Sequence, residues 1–229
     1  MDKILYFIFS FIIFLSIFFV GSLLRLKPKY IVDGYFEKDG SGTYKTTFSL
    51  KKSSFLLNVF QRRSNYVDFS FRLIKSFFQK KQQYLQNIKG LSNITTTFDN
   101  ERYTFSLSFH FDNIESLNNA IKAMYLMYNQ PLMEYVYNDN KFIFKNYFLT
   151  QQKNIIDNFK KNDNSNVKSF DLDYFLHHFK FVNRYHFSSA VIKTNNPNIK
   201  ITSDTYKDVL IQQRYRDIDK NNINIIVLA

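Results

Sequence analysis

The feature that most constrains this chain is its opening stretch. Ile4 to Leu24 is a run of 21 residues without a charged side chain. As a helix rising about 1.5 Å per residue it would measure roughly 31 Å, the thickness of a bilayer core. A cleaved secretory signal has a shorter apolar region, about 7–15 residues, ending at a small-x-small site. Here Val20-Gly21-Ser22 makes a weak site and Leu23-Leu24 prolongs the apolar run. The expectation is an uncleaved, single-pass transmembrane helix, with Arg25, Lys27 and Lys29 as its basic flank. These residues could touch anionic lipid headgroups. The positive-inside rule taken alone puts the following domain on the cytoplasmic side. Reading the run as an export signal puts it outside.

The remaining residues can build a core. Of the 229 residues, 45% are hydrophobic, with 27 Phe and 16 Tyr, which argues against global disorder. Phe, Tyr, Ile, Asn and Lys share A/T-rich codons, so genome bias explains part of the aromatic content. The net charge of +12 suits anionic lipid, acidic polymer or nucleic acid. Its plain explanation is a lysine-rich solvated surface. Cysteine is absent, which excludes disulfides, thiolate catalysis, Cys-zinc sites and a lipid on an N-terminal cysteine.

Tyr30 to Glu37 reads as a strand, Asp39-Gly40-Ser41-Gly42 as a hairpin turn, and Thr43 to Leu50 as a strand with period-two alternation. Ser53 to Ile88 has apolar residues at helical spacing, with a break near Ser64-Asn65-Tyr66. Leu91 to Phe98 and Tyr103 to Phe111 form a second hairpin, in which Tyr103, Phe105, Leu107, Phe109 and Phe111 share a core face. Asp112 caps a helix with Glu115 three residues on, and Leu117, Ile121, Met124 and Tyr128 line its apolar side. Tyr135 to Tyr137 and Phe142 to Leu149 make a third hairpin. Residues 172–181 are expected to be helical, with further strands near 185–192, 199–202, 209–213 and 223–228.

From Thr43 to Leu149 the order is strand, helix, strand, strand, helix, strand. This is the split βαβ, or ferredoxin-like, pattern. The predicted fold class is therefore α+β: a transmembrane helix followed by one antiparallel ferredoxin-like sheet with extra strands. The expected divisions are 1–29 as anchor and basic flank, 30–150 as the sheet domain, 151–183 as a polar linker and helix, and 184–229 as strands added to the sheet.

Several of these segments together resemble a family of exported bacterial lipoproteins and anchored proteins of unknown function, the LppM-like domains. The matching features are the apolar segment leading into a strand, the turn Asp39-Gly40-Ser41-Gly42-Thr43, and Gly90-Leu91-Ser92-Asn93-Ile94 before an aromatic strand. Phe111 to Ala120 and the stretch from Tyr185 to Asp204 also match. The resemblance implies an extracytoplasmic domain tied to a membrane, and it brings no catalytic residues. Such proteins commonly carry a lipid-bearing cysteine after the apolar run, and this chain has none.

No constellation stands out as chemistry. Asp39-Gly40-Ser41-Gly42 precedes a strand, whereas a phosphate loop opens a helix. His110, His177, His178 and His186 lack zinc spacing. Asp171 and Asp173 read as helix caps, and Asp204, Asp208, Asp217 and Asp219 as turn residues. The expectation is a non-enzymatic domain without cofactor or metal, in the cell envelope, binding a lipid, an envelope polymer or a protein partner. The alternatives are an accessory subunit of a membrane complex and a basic RNA-binding module, with nucleic acid the less favoured partner.

Overall fold

The computed structural model describes residues 29–49, 65–99, 103–124, 133–138, 140–146, 180–197, 199–202, 204–214 and 223–229. The element order begins β1 (Lys29–Phe36), β2 (Gly42–Ser49), α1 (Asn65–Leu85), β3 (Leu91–Asp99), β4 (Thr104–Phe111) and α2 (Ile114–Met124). It continues with β5 (Met133–Asn138), β6 (Lys141–Asn146), β7 (Lys180–Phe187), β8 (Val191–Thr194), β9 (Ile199–Ile201), β10 (Asp208–Arg214) and β11 (Ile223–Leu228). These strands form a seven-stranded sheet in the order β3-β4-β2-β1-β7-β10-β9 and a four-stranded sheet in the order β5-β6-β11-β8.

This corrects the predicted fold class. The described residues are mostly strand, in two sheets rather than one ferredoxin-like sheet. Nor is the larger sheet wholly antiparallel, because β1 and β7 run parallel. Part of the split βαβ pattern is present: β2, β4 and β3 lie side by side in the order that motif requires. Its fourth strand would add beside β2, but β1 already pairs there through the Asp39-Gly40 hairpin. β5 is displaced into the second sheet, where it pairs with β6. The C-terminal strands are divided: β7, β9 and β10 extend the larger sheet, and β8 and β11 the smaller. β7 begins at Lys180, within the stretch read as linker and helix.

The expected membrane-spanning helix gains no support. Ile4–Leu24, with Arg25 and Lys27, lies outside the described residues. Among the described residues no helix is long and apolar enough to cross a membrane.

The core lies on one side of the larger sheet. Alternation puts Val32 and Phe36 of β1, Tyr44 and Phe48 of β2, Phe105, Leu107, Phe109 and Phe111 of β4, and Tyr185 and Phe187 of β7 on that side, all buried. The smaller sheet covers the β2-β1-β7 region: Phe36 meets Phe142 at 4.5 Å between ring centroids, and Tyr185 meets Phe144 at 5.4 Å. Helix α1 covers the β3-β4 end, where Phe78 packs on Phe98 and Phe105. Helix α2 joins the two covers. Its Asn118 side chain accepts from the Tyr135 N–H and donates to the Tyr135 carbonyl, so one amide fills the edge of β5. The helix cap falls one residue later than predicted, since Asn113, not Asp112, accepts the Ser116 N–H.

A string of tyrosine hydroxyls crosses the interface between the sheets. Tyr44 and Tyr135 lie 3.4 Å apart, and Tyr135 and Tyr185 3.3 Å. Burial pushes the Tyr44 and Tyr185 hydroxyls well above their ordinary pKa.

Lys81 of α1 is also buried, and its ammonium donates to the Met124 carbonyl at the end of α2. Desolvation lowers its pKa from 10.5 to about 8. Because the folded value is the lower one, the unfolded chain binds more protons between pH 8 and 10.5, and stability rises with pH there. The gain from pH 7 to pH 9.5 should be about 2 kcal/mol. Above pH 10 the buried tyrosines act oppositely, since their raised folded values withdraw stability as pH climbs. Urea midpoints at pH 7, 8.5 and 9.5 check this. Lys81→Met should flatten the rise, and a parent chain with no rise would refute it.

Candidate functional site

Whatever this domain binds, the open side of the larger sheet offers the most ordered chemistry. Antiparallel sheets often pack one face and hydrate the other, and the residues alternating with the core residues here are mostly polar, with Ile31, Val182 and Leu210 as apolar exceptions and Ser49 and Ser106 buried. Cross-strand register sets them in rows. One row reads Ser92–His110–Thr43–Tyr35–His186–Asp208 across β3, β4, β2, β1, β7 and β10. The next reads Thr95–Ser108–Lys45–Asp33–Arg184–Leu210.

The side chains in these rows hold one another in place. Tyr35 is half exposed, and its ring lies flat on the His186 imidazole, 4.2 Å between centroids and 10° from parallel. The imidazole donates through Nδ1 to Asp208 Oδ1 at 2.6 Å, which fixes the ring plane. Beside them Arg184 forks onto Asp33, Nη2 to Oδ2 at 2.9 Å and Nε to Oδ1 at 2.5 Å. A fork of this kind is geometrically stiff. Toward β3, hydroxyls bond in pairs, Thr47 with Ser106 and Thr95 with Ser108. The result is one upright aromatic ring in a pavement of fixed donors and acceptors. On the side away from His186, exposed Thr43 sits at the same register.

An aspartate–histidine pair is two-thirds of a hydrolytic triad, and the third member would be a hydroxyl on the far ring nitrogen. What lies against this imidazole is the Tyr35 ring face. The arrangement can orient a bound group and hydrogen-bond it. Among the described residues no group of three or more His, Asp or Glu side chains converges as a metal site would.

The predicted site residues lie elsewhere. Lys29 opens β1 at one end of the sheet. Asp39, Gly40 and Gly42 lie at the opposite end. Asp39 accepts from both the Ser41 N–H and hydroxyl, which lowers its carboxyl pKa. Gly40 has φ +81°, the left-handed conformation the turn requires. Asp39 and Gly40 also border a cleft of about 660 Å³ with Glu115 and Tyr137. Burial, with help from the Asp39 charge, raises the Tyr137 pKa. His177 and His178 lie outside the described residues.

Asp208 corrects the sequence reading, since it opens β10 rather than lying in a turn. The pairing with His186 spans 22 residues and leaves no local motif. Tyr35 was accessible to reasoning: in β1 it alternates with Val32 and Phe36, so it must face away from the core.

No family model matches this chain, and no curated protein does. A solved structure is similar, the NMR structure of the folded domain of the Mycobacterium tuberculosis LppM protein. The match covers 88% of this chain and 90% of that one, at 7% identity and a TM-score of 0.44. The resemblance to LppM-like domains thus stands as a partial structural likeness, too loose to carry an argument about activity.

Proposed function

We propose that this protein is a non-enzymatic binding domain of the cell envelope, held at a membrane surface, that recognises a hydrated carbohydrate polymer. The observation that carries the reading is the open sheet face, where Tyr35 stands half exposed and stacked against an imidazole that Asp208 locks. A ring held upright offers a flat apolar surface at low entropic cost, and the polar groups around it match sugar hydroxyls. The same face argues against an acyl chain as ligand, because Thr43, Lys45, Asp33 and Arg184 surround the ring. Placement at a membrane surface is supported by the uncharged run Ile4–Leu24.

The test is binding of the full chain, in mild detergent, to a panel of soluble envelope polysaccharides. Tyr35→Ala should weaken binding about tenfold, or about 1.4 kcal/mol, while leaving the urea midpoint nearly unchanged because the ring is half exposed. Equal affinity of the variant would remove the face from consideration. Retention of RNA at physiological salt, with no carbohydrate bound, would replace the reading with a nucleic-acid module.

A further inference from the structure

The smaller sheet also has an outer side, and that side is apolar where a solvated sheet face is usually polar. Tyr135, Phe142, Phe144, Ile226 and Leu228 point inward and are buried. Alternation therefore sends Val136 of β5, Ile143 of β6 and Ile223, Ile225 and Val227 of β11 outward. Register aligns Val136, Ile143 and Ile225 on three adjacent strands, and Ile223 and Val227 flank Ile225 on β11. None of the five is buried: Ile223 is 46% exposed and the others are part-exposed. Ile192 of the adjoining β8 is 66% exposed. Single exposed isoleucines are ordinary, but a contiguous aliphatic patch marks a contact surface.

The rim of this patch is basic. Lys141 and Lys193 lie opposite Val227 from either side, and both are exposed. Lys145 lies opposite Ile223 and bonds Glu134 at 2.9 Å. The outward charges of the four strands are thus three lysines and one glutamate.

That composition selects among partners. The buried centres of protein interfaces are enriched in aromatic residues, Met and Arg and depleted of Lys. Among the described outward-facing residues of these strands there is no aromatic ring and no arginine. Branched aliphatics rimmed by lysines fit a lipid surface instead. The aliphatic tips enter the boundary between headgroups and acyl chains, and the lysine stems lie along it with their ammonium groups on phosphates. The smaller sheet packs on the core side of the larger one, so its outer side and the Tyr35 face are opposite surfaces of the sandwich.

We propose that the outer side of the smaller sheet is a docking surface for an anionic lipid bilayer. Val136, Ile143, Ile223, Ile225 and Val227 meet the acyl boundary, and Lys141 and Lys193 meet the phosphates. The inference rests on the membrane-surface reading above and adds an orientation to it: the Tyr35 face turns away from the lipid, toward the aqueous side where a hydrated polymer lies.

The chain has no cysteine, so single introduced cysteines label cleanly. Asn138→Cys, in the register row of Lys141 and Val227, and Thr43→Cys, beside Tyr35, each take one fluorophore in the full chain, at exposed positions. The labelled proteins are mixed with vesicles of phosphatidylcholine, alone or with phosphatidylglycerol, containing a lipid with a quencher on its headgroup. In the anionic vesicles the label at position 138 should be quenched about threefold more than the label at position 43. That ratio should fall toward one in neutral vesicles and in the double variant Lys141→Gln, Lys193→Gln, whose exposed side chains leave the urea midpoint unchanged. Equal quenching of the two labels on chains that float with the vesicles would overturn this inference and leave the membrane-surface reading standing. A preference that survives both neutral lipid and the double variant would overturn the role of the lysines and with it the anionic docking surface. Lipid-free dimerisation in mild detergent that shields position 138 from an aqueous quencher would assign the patch to a second copy of the chain and overturn the inference. A full chain that floats with neither vesicle would overturn the membrane-surface reading and this inference together.

Discussion

Phe36→Ala should cost about 3–5 kcal/mol of stability, among the largest losses available to a single truncation here. The Phe36 ring has neighbours on both sheets. It contacts Phe142 at 4.5 Å, Phe111 and Phe187 at 5.7 Å, Tyr185 at 5.9 Å and Tyr135 at 6.0 Å. Removing it opens a cavity lined by rigid aromatic rings, which collapse into the space poorly. The two sheets would lose their central contact together. Urea unfolding of the full chain in mild detergent measures the effect, and a loss under about 1 kcal/mol would mean the sheets are not packed through this ring.

Gly42→Ala should cost about 3 kcal/mol, more than the same change at Gly40. A Cβ at Gly42 would sit 1.9 Å from the Tyr35 carbonyl oxygen and 2.8 Å from the Phe111 ring. The first obstacle is backbone of the partner strand, which cannot swing aside without breaking the β1–β2 ladder. At Gly40 the nearest atoms are 3.7 Å away, so a methyl group fits and only the left-handed backbone opposes it. That penalty is about 1–2 kcal/mol. The two urea midpoints should therefore fall in the order Gly40→Ala above Gly42→Ala. The reverse order would mean that turn conformation, not close approach, governs this hairpin.

That pair of glycines shows what a sequence can and cannot disclose. Asp39-Gly40 announces a turn through backbone preference alone, which is local and legible. Gly42 looks like part of the same motif, yet its role depends on Tyr35 and Phe111, one across the hairpin and one on another strand. The strand from Tyr103 to Phe111 was readable for the same local reason: alternation fixes which residues face inward, and all five aromatic or aliphatic residues are buried. The hairpin at β5 and β6 was legible too. The sheet assignment was not. The order from Thr43 to Leu149 is compatible with a ferredoxin-like sheet, and only competition for the edge of β2 displaces β5. Such competition between distant segments has no periodicity to reveal it. The candidate site failed the same way, since Tyr35, His186 and Asp208 lie on three strands joined by long connections.

The parallel pairing of β1 with β7 has a consequence for how the molecule comes into being. β1 is the earliest strand among the described residues, yet its second neighbour in the sheet arrives only with residues 180–187. Until then one border of the β1–β2 hairpin has no ladder partner among the described strands. A nascent chain of this design keeps that edge raw until β7 is made, open to chaperones and proteases alike. Pairings of such sequence separation also form slowly. A polypeptide that must be threaded through a narrow channel before it folds would gain from that delay.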